Sequence, residues 1–76
     1  MGSQNREEAK NAVGDAVKKQ MAEVALVFVR NFAQASVVAD DGEKAQAARR
    51  FKNGLETYAR ARDAALQVVE EVFPET

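Results

Sequence analysis

The sequence predicts an all-α protein, an antiparallel helical hairpin of two long helices. Its 76 residues contain one proline, Pro74, which lies near the C-terminal end and interrupts neither helix. Hydrophobic residues make up 46% of the chain and charged residues 30%, which is typical of a soluble helical protein. Apolar residues also recur every three to four positions in both halves of the chain, which is the period of an α-helix.

The first helix is predicted over residues 5–36. Asn5 followed by Glu8 has the spacing of a capping box at its start. The apolar positions at helical spacing are Ala9, Val13, Val17, Val24, Phe28 and Phe32. Gly14 interrupts them, and a glycine inside a helix costs ~1 kcal/mol relative to alanine. Because the apolar pattern continues across Gly14, we expect one continuous helix; the alternative is a break there that gives a three-helix monomer.

A turn is predicted over residues 37–42, and a second helix over residues 43–73. Asp40 with Glu43 three residues later favours a helix start, and Pro74 ends the helix. Its contact line is close to a heptad and consists of Ala48, Phe51, Leu55, Tyr58, Arg62, Ala65, Val69 and Val72, widened by Leu66 and Phe73. Gly54 and many alanines allow the helix axes to approach closely. Residues 1–76 are expected to form a single helical domain.

Residues 21–33 are apolar around nearly the whole helix circumference. A hairpin covers only one stripe of each helix, and each large apolar side chain left in water forfeits ~1.5–3 kcal/mol. We therefore expect a second copy of the chain, or another helical protein, to complete a four-helix bundle. Val24 and Phe28 should lie deepest, touching both the second helix and the second chain. The predicted oligomer or partner interface comprises Val24, Val27, Phe28, Phe32, Leu55, Tyr58 and Arg62.

The sequence does not decide which of the two helices lies at the two-fold axis of the dimer. The second helix is basic in its first half and acidic at its end, so an antiparallel mate would place Arg49, Arg50 or Lys52 near Glu70 or Glu71 of the other chain. The alternative puts the first helix at the axis, where Val27 and Phe28 meet their mates.

Residues that carry chemistry are scarce. The chain has no histidine, which is the commonest general base and metal ligand, and no cysteine, so neither a thiolate metal site nor a disulfide can form. Asp40, Asp41 and Glu43 lack the spacing of a calcium loop and are explained by a turn and helix cap. We therefore expect no enzyme activity, no catalytic residues, no metal and no cofactor.

The function that these features favour is a non-enzymatic protein-interaction or adaptor module acting as a homo-oligomeric helical bundle. The alternative is a small nucleic-acid-binding regulator that uses the basic cluster Arg49, Arg50, Lys52 and Arg60. A formal net charge of −1 gives no global attraction to nucleic acid or to an anionic membrane. The apolar run is too short to span a bilayer and no signal peptide is visible, so a cytoplasmic location is expected.

Overall fold

Two long helices packed against each other make up the fold. The computed structural model describes the backbone of residues 2–75 and the side chains of residues 4–75. Helix α1 covers Gly2–Val37 and helix α2 covers Asp41–Val72, and the Cα atoms span 57 × 15 × 10 Å. No strand occurs in the described part of the chain. The predicted antiparallel hairpin is confirmed. Helix α1 also continues through Gly14 without a break, so the three-helix alternative is wrong.

The start of α1 differs from the prediction. The helix begins at Gly2, three residues before the predicted start, so Asn5 lies inside the helix and is not its N-cap. Nothing in the sequence between Gly2 and Asn5 breaks a helix. Arg6 is moreover held by Glu70 of α2. Packing between the two helices, rather than a capping box, therefore holds this end.

The turn between the helices is a Schellman motif built without glycine. The Asp40 amide donates to the Ala35 carbonyl at 2.9 Å, and the Ala39 amide donates to the Ser36 carbonyl at 3.2 Å. Ala39 has φ 55°, the left-handed conformation in which glycine is usual. These two bonds satisfy carbonyls at the end of α1 and reverse the chain within three residues.

Helix α2 begins two residues earlier than predicted because Asp40 is its N-cap. The Asp40 carboxylate accepts a hydrogen bond of 3.0 Å from the Glu43 amide, so the helical residues start at Asp41. Gly42 therefore belongs to the first turn of α2 and not to the connecting turn. At the other end, the Phe73 amide donates to the Val69 carbonyl at 2.8 Å, immediately before Pro74.

The most buried side chains of the single hairpin are small. Ala35, Ala47 and Val69 are 4%, 4% and 7% exposed, whereas Val24 and Phe28, which were expected to lie deepest once a second chain covers them, are partly buried within the hairpin. The contact line of α2 runs through Ala47 where Ala48 was predicted, and it ends at Phe73, which was predicted to widen the line, while Val72 is exposed. A heptad assumes 3.5 residues per turn, and a straight helix with 3.6 drifts from it by ~20° per heptad. Over the length of α2 this drift adds up to somewhat less than the ~100° between adjacent residues, so it displaces the contact line by about one residue in total.

Candidate interaction surface

The middle of α1 contacts α2 through Val24 and Phe28. A Cβ atom placed on Gly54 would lie 2.8 Å from Val24 Cγ1, so the missing side chain of Gly54 makes room for Val24. The Phe28 ring stacks on Phe51 with centroids 4.8 Å apart and an interplanar angle of 16°. Val24 and Phe28 are thus occupied within the hairpin.

Other large apolar side chains of the same helix remain in water. Leu26, Val27 and Val29 are 56%, 51% and 60% exposed. Phe32 is 38% exposed, with Lys44 Nζ 5.8 Å from its ring centroid. Leu26 and Val29 were not among the predicted interface residues. Their exposure follows from the position of Val24, since a residue two or five places further along a helix points away from the same neighbour.

These exposed residues include a continuous apolar stripe on the side of α1 that faces away from α2. We call this surface the outer stripe; it consists of Ala22, Leu26, Val29 and Ala33, all of which are exposed. Their spacing of four, three and four residues keeps them on one helix face. Glu23 and Arg30 run along one flank of the stripe, and neither has an ion-pair partner among the described residues.

A shallow apolar groove of about 220 Å³ lies beside the line where the helices meet. Tyr58 lines this groove, and its hydroxyl donates to Gln20 Oε1 at 3.2 Å across the hairpin. The other residues along the groove are Gln20, Glu23, Val24, Val27, Phe28, Asn31, Ala47, Arg50 and Phe51. The Tyr58 hydroxyl and the Gln20 side chain thus hydrogen-bond to each other at one end of the groove, and the rest of the groove is mainly apolar.

The remaining predicted interface residues lie apart from the outer stripe. Leu55 is partly buried on α2, and Arg62 is exposed, with its Nε 3.4 Å from the carboxylate of the adjacent Asp63. Tyr58 bonds to α1 as described. Some of the predicted interface residues therefore make contacts inside the hairpin. Others are exposed, chiefly Val27 and Phe32.

The basic cluster is exposed but does not form one patch. Arg49, Arg50, Lys52 and Arg60 are all exposed, and none has an ion-pair partner in residues 4–75. Arg50 and Lys52 are two residues apart, which is about 200° of rotation around the helix axis, so they point to nearly opposite sides of α2. Glu56 lies between Arg49 and Arg60 on their face of α2.

A charged cluster joins the two helices at the end opposite the turn. Arg6 donates to the Glu70 carboxylate and lies 3.8 Å from Glu75, while Lys10 Nζ lies 3.7 Å from Glu70. The hydrogen bond that the Arg6 guanidinium donates to Glu70 raises the pKa of Arg6; nearby negative charge adds to this rise and partial desolvation opposes it. The acidic end of α2 is therefore paired with the basic start of α1 inside the same chain.

No group of three or more potential metal-binding side chains occurs in the described part of the chain. Over the same residues, neither helix has a stretch long and apolar enough to cross a membrane. Comparison of the chain with protein-family models, with curated proteins and with solved structures gives no match.

Proposed function

We propose that this chain is a non-enzymatic protein-interaction or adaptor module that acts as a homo-oligomeric helical bundle. The observation that carries the proposal is the exposure of Leu26, Val27 and Val29, each more than half exposed beside one another on α1. Single exposed apolar residues are common on protein surfaces, but a contiguous group on one helix is typical of an interaction site.

The energetic reason is the small size of the hairpin. A two-helix protein has a thin core, and domains below about 70–80 residues rarely gain more than ~3–5 kcal/mol from a single core. Full burial of a Leu or Val side chain contributes ~1.5–3 kcal/mol. Covering two or three such side chains on each chain therefore supplies stability comparable with that of the whole hairpin.

Sedimentation equilibrium tests the proposal. The protein concentration is varied from about 1 to 200 µM, which covers dissociation constants of weak to moderate affinity. We expect the apparent mass to rise from that of the monomer toward that of a dimer or higher oligomer. A chain that keeps the monomer mass throughout contradicts self-association. The exposed residues would then require a different protein as the partner.

The alternative function, a nucleic-acid-binding regulator, is supported by the exposure of Arg49, Arg50, Lys52 and Arg60. If these residues contact phosphates, binding to RNA or DNA falls steeply as salt is raised, and Arg49→Ala with Arg50→Ala flattens that dependence. Absence of any mobility shift at low salt would eliminate this function. The interleaved Glu56 makes the interaction module the better supported of the two.

A further inference from the structure

We infer that the outer stripe of α1 is the surface on which a second copy of this chain docks, with the two α1 helices antiparallel. The inference rests on the proposed self-association and specifies its interface. It follows from the spacing of the stripe and from the charges along its flank.

The outer stripe has the spacing of a coiled-coil seam. Leu26 and Ala33 occupy a positions of a heptad, and Ala22 and Val29 occupy d positions. In an antiparallel pair, a residues of one helix lie beside d residues of the other. Leu26 then lies beside the partner's Val29, and Ala22 lies beside the partner's Ala33. Large side chains fill the central layers, and the alanine layers on either side allow the helix axes to approach closely.

The flanking charges complement a second copy in this register. Glu23 and Arg30 are the e positions of the same heptads, and e residues face each other across an antiparallel seam. Glu23 therefore lies beside the partner's Arg30, and the two-fold axis repeats this pair. Both residues are exposed and have no ion-pair partner in residues 4–75, so the dimer breaks no existing pair.

The opposite flank of the seam is apolar, and it distinguishes the antiparallel arrangement from a parallel one. Ala25 and Phe32 occupy the g positions, so each Phe32 packs on the partner's Ala25 in the antiparallel pair. In a parallel pair, each e residue faces the g residue five positions earlier on the partner, so Arg30 would lie against Ala25 without an opposite charge, and only Glu23 would meet one, on Lys18. The sequence along α1 thus favours one orientation.

The face of α2 that points directly away from α1 offers no comparable seam; the exposed Val68 and Val72 lie to one side of it. Its outward face alternates charged residues of both signs, including Arg49, Glu56 and Arg60.

Glu70, one of the two acidic residues that would meet the basic half of an antiparallel α2, is already bound by Arg6 and Lys10 of its own chain. A dimer through α2 that used Glu70 would have to break these contacts, which leaves Glu71 alone for the pairing, whereas a dimer through α1 leaves them intact.

Charge reversal tests the interface. At low salt we expect Glu23→Arg and Arg30→Glu each to weaken self-association by about tenfold or more, because each places two like-charge pairs at the seam. The double variant Glu23→Arg with Arg30→Glu should return the dissociation constant to within about threefold of the original value, since the signs match again. Glu56→Arg and Arg60→Glu, on the outward face of α2, serve as matched controls and should change nothing. Circular dichroism checks that every variant keeps its helices.

Cross-linking tests the orientation independently, because the chain has no cysteine of its own. When chains carrying Leu26→Cys are mixed with chains carrying Val29→Cys and oxidised, we expect the mixed disulfide to exceed either homodimer. A parallel pair would join like with like, and predominance of the Leu26→Cys homodimer would overturn the antiparallel register.

The possible failures can be told apart. Self-association that is unaffected by Glu23→Arg and by Arg30→Glu overturns the α1 interface while the proposed oligomer stands. A chain that is monomeric at every concentration overturns both.

Discussion

At the scale of single residues, Ala39 carries the reversal of the chain in a conformation that glycine adopts more easily. Its φ of 55° brings the alanine Cβ close to the following backbone. We expect Ala39→Gly to raise the free energy of unfolding by about 0.5–1 kcal/mol, since the relief of strain exceeds the added flexibility of the unfolded chain.

Chemical denaturation followed by circular dichroism measures this change. Ala45→Gly, at an exposed position inside α2, is the matched control and should lower the stability by about 1 kcal/mol. If both variants lose stability to a similar extent, the left-handed conformation of Ala39 carries no measurable strain.

Gly14 and Gly54 provide an opposed pair of predictions. A Cβ atom on Gly14 meets nothing within 4 Å, so Gly14→Ala should raise the free energy of unfolding by about 0.5–1 kcal/mol through helix propensity. A Cβ atom on Gly54 would lie 2.8 Å from Val24 Cγ1, so Gly54→Ala should lower the free energy of unfolding by about 1–3 kcal/mol through overpacking.

A double-mutant cycle between the two helices checks the cause at Gly54. Val24→Ala removes the methyl groups that the new Cβ would meet, so Gly54→Ala should cost less in that background than in the original chain. Equal costs in both backgrounds would mean that Val24 and Gly54 do not limit how closely the helices approach.

At the scale of helices and their connection, the ends of the hairpin are held by different means. Hydrogen bonds of the turn hold one end, and the cluster of Arg6, Lys10 and Glu70 holds the other. We expect Arg6→Ala to speed amide hydrogen exchange in the first turns of α1 and the last turns of α2, with no change at the turn. Arg49→Ala, which removes an exposed cation from α2, is the control and should leave exchange unchanged at both ends.

The pH dependence of this end follows from the raised pKa of Arg6. A cation whose pKa is higher in the folded state stabilises that state at every pH below its unfolded value, and the effect is lost only as the pH rises through the folded value. Arginine titrates far above neutrality, so a rise from slightly acid to slightly alkaline pH should not release this contact through Arg6. Fraying that began near neutral pH would point to a different group.

Local signals in the sequence predicted the helices well and their limits less well. Pro74, the apolar period and Asp40 were enough for two helices and one N-cap, because each acts within a few residues of itself. The contact that ties the first part of α1 to α2 joins Arg6 and Glu70, which are 64 positions apart in the chain, and no local pattern contains it. The sequence predicted the position of the turn but not its hydrogen-bonded form. A Schellman motif usually shows a glycine after the helix, and here Ala39 occupies that position.

At the scale of the whole molecule, the exposed side of α1 should make the thermal stability of the protein depend on its concentration. If a second chain covers Leu26 and Val29, the melting temperature rises as the protein is concentrated, because association stabilises the folded state. We expect Leu26→Gln with Val29→Gln to remove this rise and to leave the melting temperature of the dilute protein nearly unchanged.

Val68→Gln with Val72→Gln is the matched control. These valines are 54% and 61% exposed on α2, much as Leu26 and Val29 are on α1, but they lie outside the outer stripe. The control variant should keep the dependence on concentration. Loss of that dependence in both variants would indicate general hydrophobic association in place of a defined surface.

The candidate surface was only partly predictable from the sequence. The excess of apolar residues in 21–33 was visible, and it indicated that one hairpin cannot cover them all. Which of them remain uncovered depends on how α1 is rotated against α2, and that rotation is determined by where Val24 meets Gly54. The interface prediction therefore included Phe28, which packs on Phe51, and omitted Leu26 and Val29, which are exposed.

The simple pairing of one helix with the next also has a consequence for the route by which the chain folds. Ala35 and Ala47, both buried, are only 12 positions apart in the chain and flank the turn, whereas Arg6 and Glu70 are separated by 64. The entropy lost on closing a loop grows with the length of chain enclosed, so contacts beside the turn form at the smallest cost. Once they exist, each further pair closes only a few additional residues. We expect the hairpin to zip from the turn toward the open end, and to unfold in the reverse order.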